Sequence, residues 1–185
     1  EKYTDFIHNG ALLNETDKEK VCQIDEELSK LAPKFSQNTL NATNDFTYFT
    51  EDKSELSGLP DMAITQAAET ASKKEKDSGW MFTLQMPSYI PLMQFADNRK
   101  LRETIFKARS RVSFGGKYDN QKIIQKITTL RYEKAQILGF EDHADYILQK
   151  RMAGTKNNVM NFLERLYEVY YPAANRELDE MRKLA

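Results

Sequence analysis

The sequence predicts an all-α fold with one short strand-like segment, and three observations carry that prediction. Glycine and proline are scarce, 7 and 5 among 185 residues. Sheet-rich folds need many turns, so this scarcity favours few, long elements. Apolar residues recur at steps of three and four along most of the chain, which places them on one face of a helix. Helix caps and stops stand where those stripes begin and end. No repeat of fixed period and no low-complexity segment interrupts the pattern.

The first long stripe is Val21, Ile24, Leu28, Leu31 and Phe35. Thr16-Asp17-Lys18-Glu19 before it has the capping-box pattern, in which threonine and glutamate satisfy each other's backbone N–H groups. Pro33 lacks an N–H and crowds the preceding turn, so a kink or break is expected there. The pattern resumes through Leu40 and Phe46 to about Phe49. Ser57-Gly58-Leu59-Pro60 is a turn feeding a second helix, with Pro60 in its first turn and Ile64, Ala67, Ala68 and Ala71 as its buried stripe. Asp77-Ser78-Gly79 ends that section.

Trp80-Met81-Phe82-Thr83-Leu84-Gln85-Met86 is the strand-like stretch, closed by Pro87. One strand cannot satisfy its own backbone, so it needs a partner inside or outside this chain. Helices then span Ser88 to Ala96 and Asn98 to Val112, the latter with Leu101, Ile105, Ala108 and Val112 on one face. Phe114-Gly115-Gly116 breaks the chain. Asp119 or Asn120 caps a long helix bearing Ile124, Ile127, Arg131, Ala135 and Leu138, with Gly139 just past its end. A short helix covers about Asp142 to Arg151. After Gly154-Thr155 comes a last helix with Val159, Phe162, Leu163, Leu166 and Tyr170, which Pro172 should kink.

Hydrophobic residues make up 40% and charged residues 30%. So charged a chain is either an elongated bundle with solvated faces or part of a larger protein whose partner surface is missing. Lys and Arg number 27 against 28 Asp and Glu, a net charge of -1. Electrostatic capture of nucleic acid or of an anionic membrane is therefore not expected. No apolar run approaches the ~18 residues that span a bilayer. The single cysteine, Cys22, stands beside Val21 and is expected to be a buried, inert thiol. Lacking disulfide potential, the chain fits a reducing compartment, the cytoplasm, although a periplasmic protein can share that trait. It opens Glu1-Lys2-Tyr3 without an initiator methionine and stops inside a helical pattern, so both ends are read as cuts within a longer protein.

Chemistry is hard to find. There are two histidines, His8 and His143, and no His-Glu-x-x-His or cysteine pair. Glu141-Asp142-His143 with Asp145 has the residue types for a weak cation site, but acidic residues in a helix's first turn answer the helix dipole more simply. No Gly-x-Ser-x-Gly is present, and Phe114-Gly115-Gly116-Lys117 lacks the spacing of a phosphate loop. Arg131 falls on or beside an apolar stripe, where it should be buried and paired with a carboxylate. Trp80 to Pro91 is the best candidate for a functional surface, because aromatic residues beside a strand edge can bind extended peptide; the competing reading is an aromatic core plug. No catalytic, cofactor-binding or metal-ligating residue is assigned.

Several segments resemble the zinc oligopeptidase family that includes thimet oligopeptidase, oligopeptidase A and peptidyl-dipeptidase Dcp. They are Asn9-Gly10-Ala11-Leu12-Leu13, Phe35-Ser36-Gln37-Asn38, Leu56-Ser57-Gly58-Leu59-Pro60, Gly79-Trp80, Thr83-Leu84, Pro87-Ser88-Tyr89 and Leu101-Arg102-Glu103. Stronger are Asp119-Asn120-Gln121-Lys122-Ile123-Ile124, Leu130-Arg131-Tyr132-Glu133-Lys134-Ala135, Leu138-Gly139-Phe140 and Ala144-Asp145-Tyr146, continued by Met152-Ala153, Val159 and Phe162-Leu163. Each is weak alone; their order and spacing across nearly the whole chain make the match specific. The peptidyl-dipeptidase branch looks nearest.

The resemblance implies that residues 1–185 are the N-terminal helical region of a zinc metallopeptidase acting on short peptides. The zinc ligands and catalytic glutamate of that family lie downstream, so the chain itself would hold no zinc and cleave nothing. It would form one wall of the substrate channel, against a downstream catalytic domain. The alternative is a stand-alone helical interaction module without enzymatic activity.

Overall fold

The computed structural model describes residues 2–184. Among them are eight α-helices and one two-stranded antiparallel sheet. The mainly helical expectation is therefore met. The chain divides into two compact units, Leu28–Ile127 and a second made of Glu1–Glu27 with Thr128–Ala185.

The long helix α2, Glu15–Asp45, contributes to both units. It begins earlier than Thr16: Asn14 is the cap, its side-chain oxygen accepting from the Asp17 N–H at 2.9 Å. Pro33 does not break α2, which runs through it. Nor does the helix reach Phe49. It stops at Asp45, and Thr47–Thr50 forms strand β1.

In Leu28–Ile127, β1 pairs antiparallel with β2, Trp80–Thr83, in the register Tyr48 to Phe82 and Phe49 to Met81. This supplies the partner that β2 requires. The strand is shorter than expected, because Met86 and Pro87 already belong to helix α4, Met86–Phe95. Proline needs no N–H in a helix's first turn, so Pro87 starts that helix rather than closing the strand. Helix α3, Asp61–Ser72, buries Ala67 and Ala71. Helix α5, Arg99–Ser110, buries Leu101 and Ile105 and is capped by Asn98, whose side chain accepts from the Leu101 N–H at 3.1 Å. Phe82, Leu84, Leu92, Leu101 and Ile105 are almost fully buried and meet in one core with Leu56 and Leu59.

Two motif glycines are needed by this packing. Gly58 has φ +82°, and a Cβ there would overlap the Phe95 carbonyl oxygen and stand 2.9 Å from the Asp97 carboxylate. The turn is tied at that point, with the Asp97 N–H donating to the Ser57 carbonyl at 2.8 Å and the Ser57 hydroxyl to Asp97 at 2.7 Å. Gly79 has φ +88°, and a Cβ would lie 2.7 Å from the Thr50 carbonyl of the paired strand. Both positions demand a left-handed backbone and close approach, which only glycine combines without strain.

The other unit holds α1, Lys2–His8, the first part of α2, the end of α6, Gln121–Ile137, the short α7, His143–Leu148, and α8, Lys156–Leu184. Val21, Ile24, Leu130 and Ala135 are buried. Gly139 terminates α6 as expected, with φ +85° and the Phe140 N–H returning to the Ala135 carbonyl at 2.9 Å. Helix α8 continues through Pro172, and none of its residues is buried.

Candidate functional site

The segment from Trp80 to Pro91 is mostly a core plug. Phe82 is 2% exposed, and Trp80 and Tyr89 pack against the same core. The Ser88 hydroxyl accepts from the Thr83 N–H at 3.0 Å and so ties the start of α4 to the end of β2. Met86 and Ile90 remain outside, 48% and 40% exposed. Beside them the Arg109 guanidinium lies 6.0 Å from the centre of the Tyr89 ring. What reaches the surface is thus an apolar edge of α4 with one neighbouring cation, not an open aromatic platform.

Two of the sequence motifs meet at Asn120. Its side chain is 2% exposed. It donates to the Phe35 carbonyl at 3.0 Å and to the Thr39 hydroxyl at 3.2 Å, and it accepts from the Asn38 amide at 2.9 Å. A buried amide costs stability unless it is bonded, and this one is well satisfied. Asp119 next to it accepts from the Gln121 and Gly115 N–H groups, both at 3.1 Å, and these bonds hold its carboxyl below the usual range. Phe35 to Asn38 and Asp119 to Gln121 therefore form one structural joint within residues 28–127. Arg102 plays a comparable part. It donates to the carbonyls of Ala96 and Asp97, satisfying acceptors left open at the end of α4.

Several expected residues are placed differently. Arg131 is exposed rather than buried. The buried line of α6 passes through Ile123, Leu130 and Ala135 instead, and Ile124 is 48% exposed. Lys134 of the same helix does pair with a carboxylate on a neighbouring helix: its ammonium lies 2.6 Å from Asp25, with its side chain 15% exposed. Cys22 is exposed too. The α2 stripe buries Val21 and Ile24, and a residue adjacent in sequence points roughly 100° away on a helix.

The acidic group at Glu141-Asp142-Asp145 already surrounds a cation, the Lys156 ammonium. It lies 2.8 Å from both Glu141 and Asp142 and 3.9 Å from Asp145. Asp142 also caps α7, accepting from the Asp145 N–H at 2.9 Å. The lysine bond first, then the backbone bond, holds the Asp142 carboxyl low, and the same pairing raises Lys156. His143 is lowered, by burial first and then by the charges of Arg131 and Lys134.

Among the described residues, no three of His, Cys, Asp and Glu come together in a way that would hold a metal ion. His8 and His143 both pack on Tyr146, at ring separations of 6.3 and 6.0 Å. The carboxyls of Asp5, Asp17, Asp52, Glu103, Asp119 and Asp142 are all held low by bonded donors, the opposite of what a general acid near neutral pH requires. No described helix is long and apolar enough to cross a membrane.

Similarity to known proteins extends along nearly the whole chain. Oligopeptidase A of Haemophilus influenzae is 37% identical over 96% of this chain and 27% of its own length. Oligopeptidase A of Escherichia coli is 37% identical over 98% of this chain and 27% of its own length. Dipeptidyl carboxypeptidase of Escherichia coli is 29% identical over 97% of this chain and 26% of its own length. The chain thus spans about a quarter of the length of these relatives. The expectation that the peptidyl-dipeptidase branch lies nearest is corrected, since the oligopeptidase A sequences are more similar. The model of Peptidase family M3 matches residues 92–185, and the chain belongs to that family.

Proposed function

We propose that this chain is the N-terminal helical part of a zinc-dependent oligopeptidase that hydrolyses short peptides, with its zinc ligands and catalytic residues in a downstream domain. The observation that carries the proposal is the collinear match, 37% identical over 96–98% of this chain, to proteins named oligopeptidase A. The placement of the shared motifs supports it. Gly58, Gly79, Arg102 and Asn120 hold turns and joints, so the region's contribution is architectural, and no residue in it is assigned to catalysis. In this reading the exposed edge of α4 around Met86 and Ile90 forms part of the substrate-channel wall. One cysteine in 185 residues agrees with a cytoplasmic protein.

The test is made on the intact polypeptide. It should cleave a short fluorogenic peptide and not a folded protein, lose that activity to a zinc chelator, and regain it with added zinc. Residues 1–185 alone should cleave nothing. Chelator-insensitive cleavage, or an intact polypeptide without peptidase activity, would overturn the reading. For the channel wall, Met86→Ala with Ile90→Ala should raise KM for peptide by several-fold; unchanged kinetics would remove that part.

A further inference from the structure

Four rings form a cluster in the unit that contains α1 and α7. Phe140 and Tyr146 meet edge to face at 5.4 Å, His8 lies 5.6 Å from Phe140 and 6.3 Å from Tyr146, and His143 lies 6.0 Å from Tyr146. The Nδ1 atoms of both histidines are shut off from solvent without a hydrogen-bond partner. A neutral imidazole tolerates this, because one ring nitrogen carries no proton and loses only an acceptor bond. An imidazolium has N–H on both nitrogens. Its buried Nδ1 then becomes a donor with no acceptor, on a charged ring.

The charges facing the two histidines differ. His8 has Asp5 on its own helix, near enough for their charges to interact. His143 faces Arg131 and Lys134 of α6, with Asp142 as its opposing carboxylate. Asp142 is already engaged by the Asp145 N–H and by the Lys156 ammonium of α8. On the α1 side its neighbour across Tyr146 is His8. A positive charge on His143 would thus meet two cations and one committed carboxylate. The ion pairs that also hold this region, Lys150 to Asp5 at 2.5 Å and Lys156 to Asp142 at 2.8 Å, use carboxyls held below the usual range, so they stay charged in mild acid.

We propose that His143 is a pH-sensitive latch: as the neutral imidazole it keeps α7 seated on the ring cluster, and its protonation in mild acid releases the segment from Phe140 to Lys150. The sign follows from burial. In the open segment His143 titrates at its ordinary value near 6.5, and in the seated segment lower. The open form binds more protons, so α7 is fully held above pH ~6.5 and loses protection as the pH falls below it, until the seated histidine itself protonates.

The test is hydrogen exchange read by mass spectrometry on the intact polypeptide at pH 7.5 and 5.5, corrected for intrinsic rates. Peptides over residues 140–150 should lose protection by about threefold to tenfold at pH 5.5, while those over α5 stay unchanged. His143→Phe and His143→Gln should each abolish the pH response, whereas His8→Gln should keep it. Equal protection at both pH values, or a response that survives both His143 variants, would overturn the proposal. Should the variants fail to fold, the NMR titration of His143 in the unmodified protein decides: a midpoint below 6.5 supports the latch, and one at or above 6.5 defeats it.

Discussion

The two units of this chain are built on different principles. Residues 28–127 close an apolar core, with Phe82, Leu84, Leu92, Leu101 and Ile105 almost completely shielded. Its turns are pinned by glycines that admit no Cβ and by a buried amide that joins two helices. The other unit is held by surface-level ties: ion pairs at Lys134, Lys150 and Lys156, a cluster of four rings, and a few buried aliphatic side chains. Helix α8 is the extreme case. Val159, Leu166 and Ala173 are half-buried, while Phe162, Tyr167, Tyr170, Tyr171 and Met181 remain exposed and no residue is buried. Its apolar residues have the same helical spacing as those of α5, so periodicity alone cannot tell a stripe that is covered from one that is not.

Substitutions should separate the two units sharply. The largest loss is expected for Phe82→Ala, which removes the ring at the centre of the closed core and should cost residues 28–127 about 3–5 kcal/mol. Trp80 is the single tryptophan and packs on that core, so its fluorescence during urea unfolding reads this unit directly. A loss under ~1 kcal/mol would mean that the core is not the source of stability. Gly58→Ala comes next, at about 2–4 kcal/mol, from a left-handed backbone plus overlap with the Phe95 carbonyl. The same unfolding curve measures it, and Gly115→Ala, whose Cβ would meet nothing within 4 Å, serves as the control that pays for backbone strain alone.

Asn120→Ala should cost about 1–3 kcal/mol by leaving the Asn38 amide without its acceptor and by taking one of two side-chain donors from the Phe35 carbonyl, which keeps the Thr39 hydroxyl. Faster hydrogen exchange around residues 35–39 should accompany it. The smallest effect is predicted for Tyr167→Ala on α8, within about 0.5 kcal/mol for this chain, because the ring is 61% exposed and stacks only on Tyr171 among the described rings. Thermal unfolding monitored by circular dichroism would check it. A loss of 2 kcal/mol or more would show that α8 is as firmly packed as α5 and erase the contrast.

Much of the fold was legible because helices announce themselves locally. The helix starts near Asn98 and Asp142, the stop at Gly139 and the stripe of α5 are all written in short windows of sequence. The failures share a cause. Thr16 has the capping-box pattern, yet Asn14 captures the Asp17 N–H first. Thr47–Thr50 continues an apparently helical run, but pairing with Trp80–Thr83 makes it a strand. Arg131 and Cys22 were misplaced because a stripe one residue out of phase turns by roughly 100°, and only the neighbouring helix fixes which phase is buried. Within the candidate surface at Trp80 to Pro91, Phe82 goes into the core and the exposed apolar part is Met86 and Ile90.

By itself, the sequence determined the helical character of the chain, most helix ends, and through motif order its place in Peptidase family M3. These depend on backbone propensity, capping and spacing, all of which act within a few residues. Tertiary structure alone decided that β2 finds its partner in β1, that Asn120 joins the motif at Phe35 to Asn38 across 85 positions, and that His143 lies against Tyr146 with a bare nitrogen. Those outcomes rest on contacts between residues far apart in the chain. Burial and pairing, the terms that set their energies, do not exist until the chain has folded.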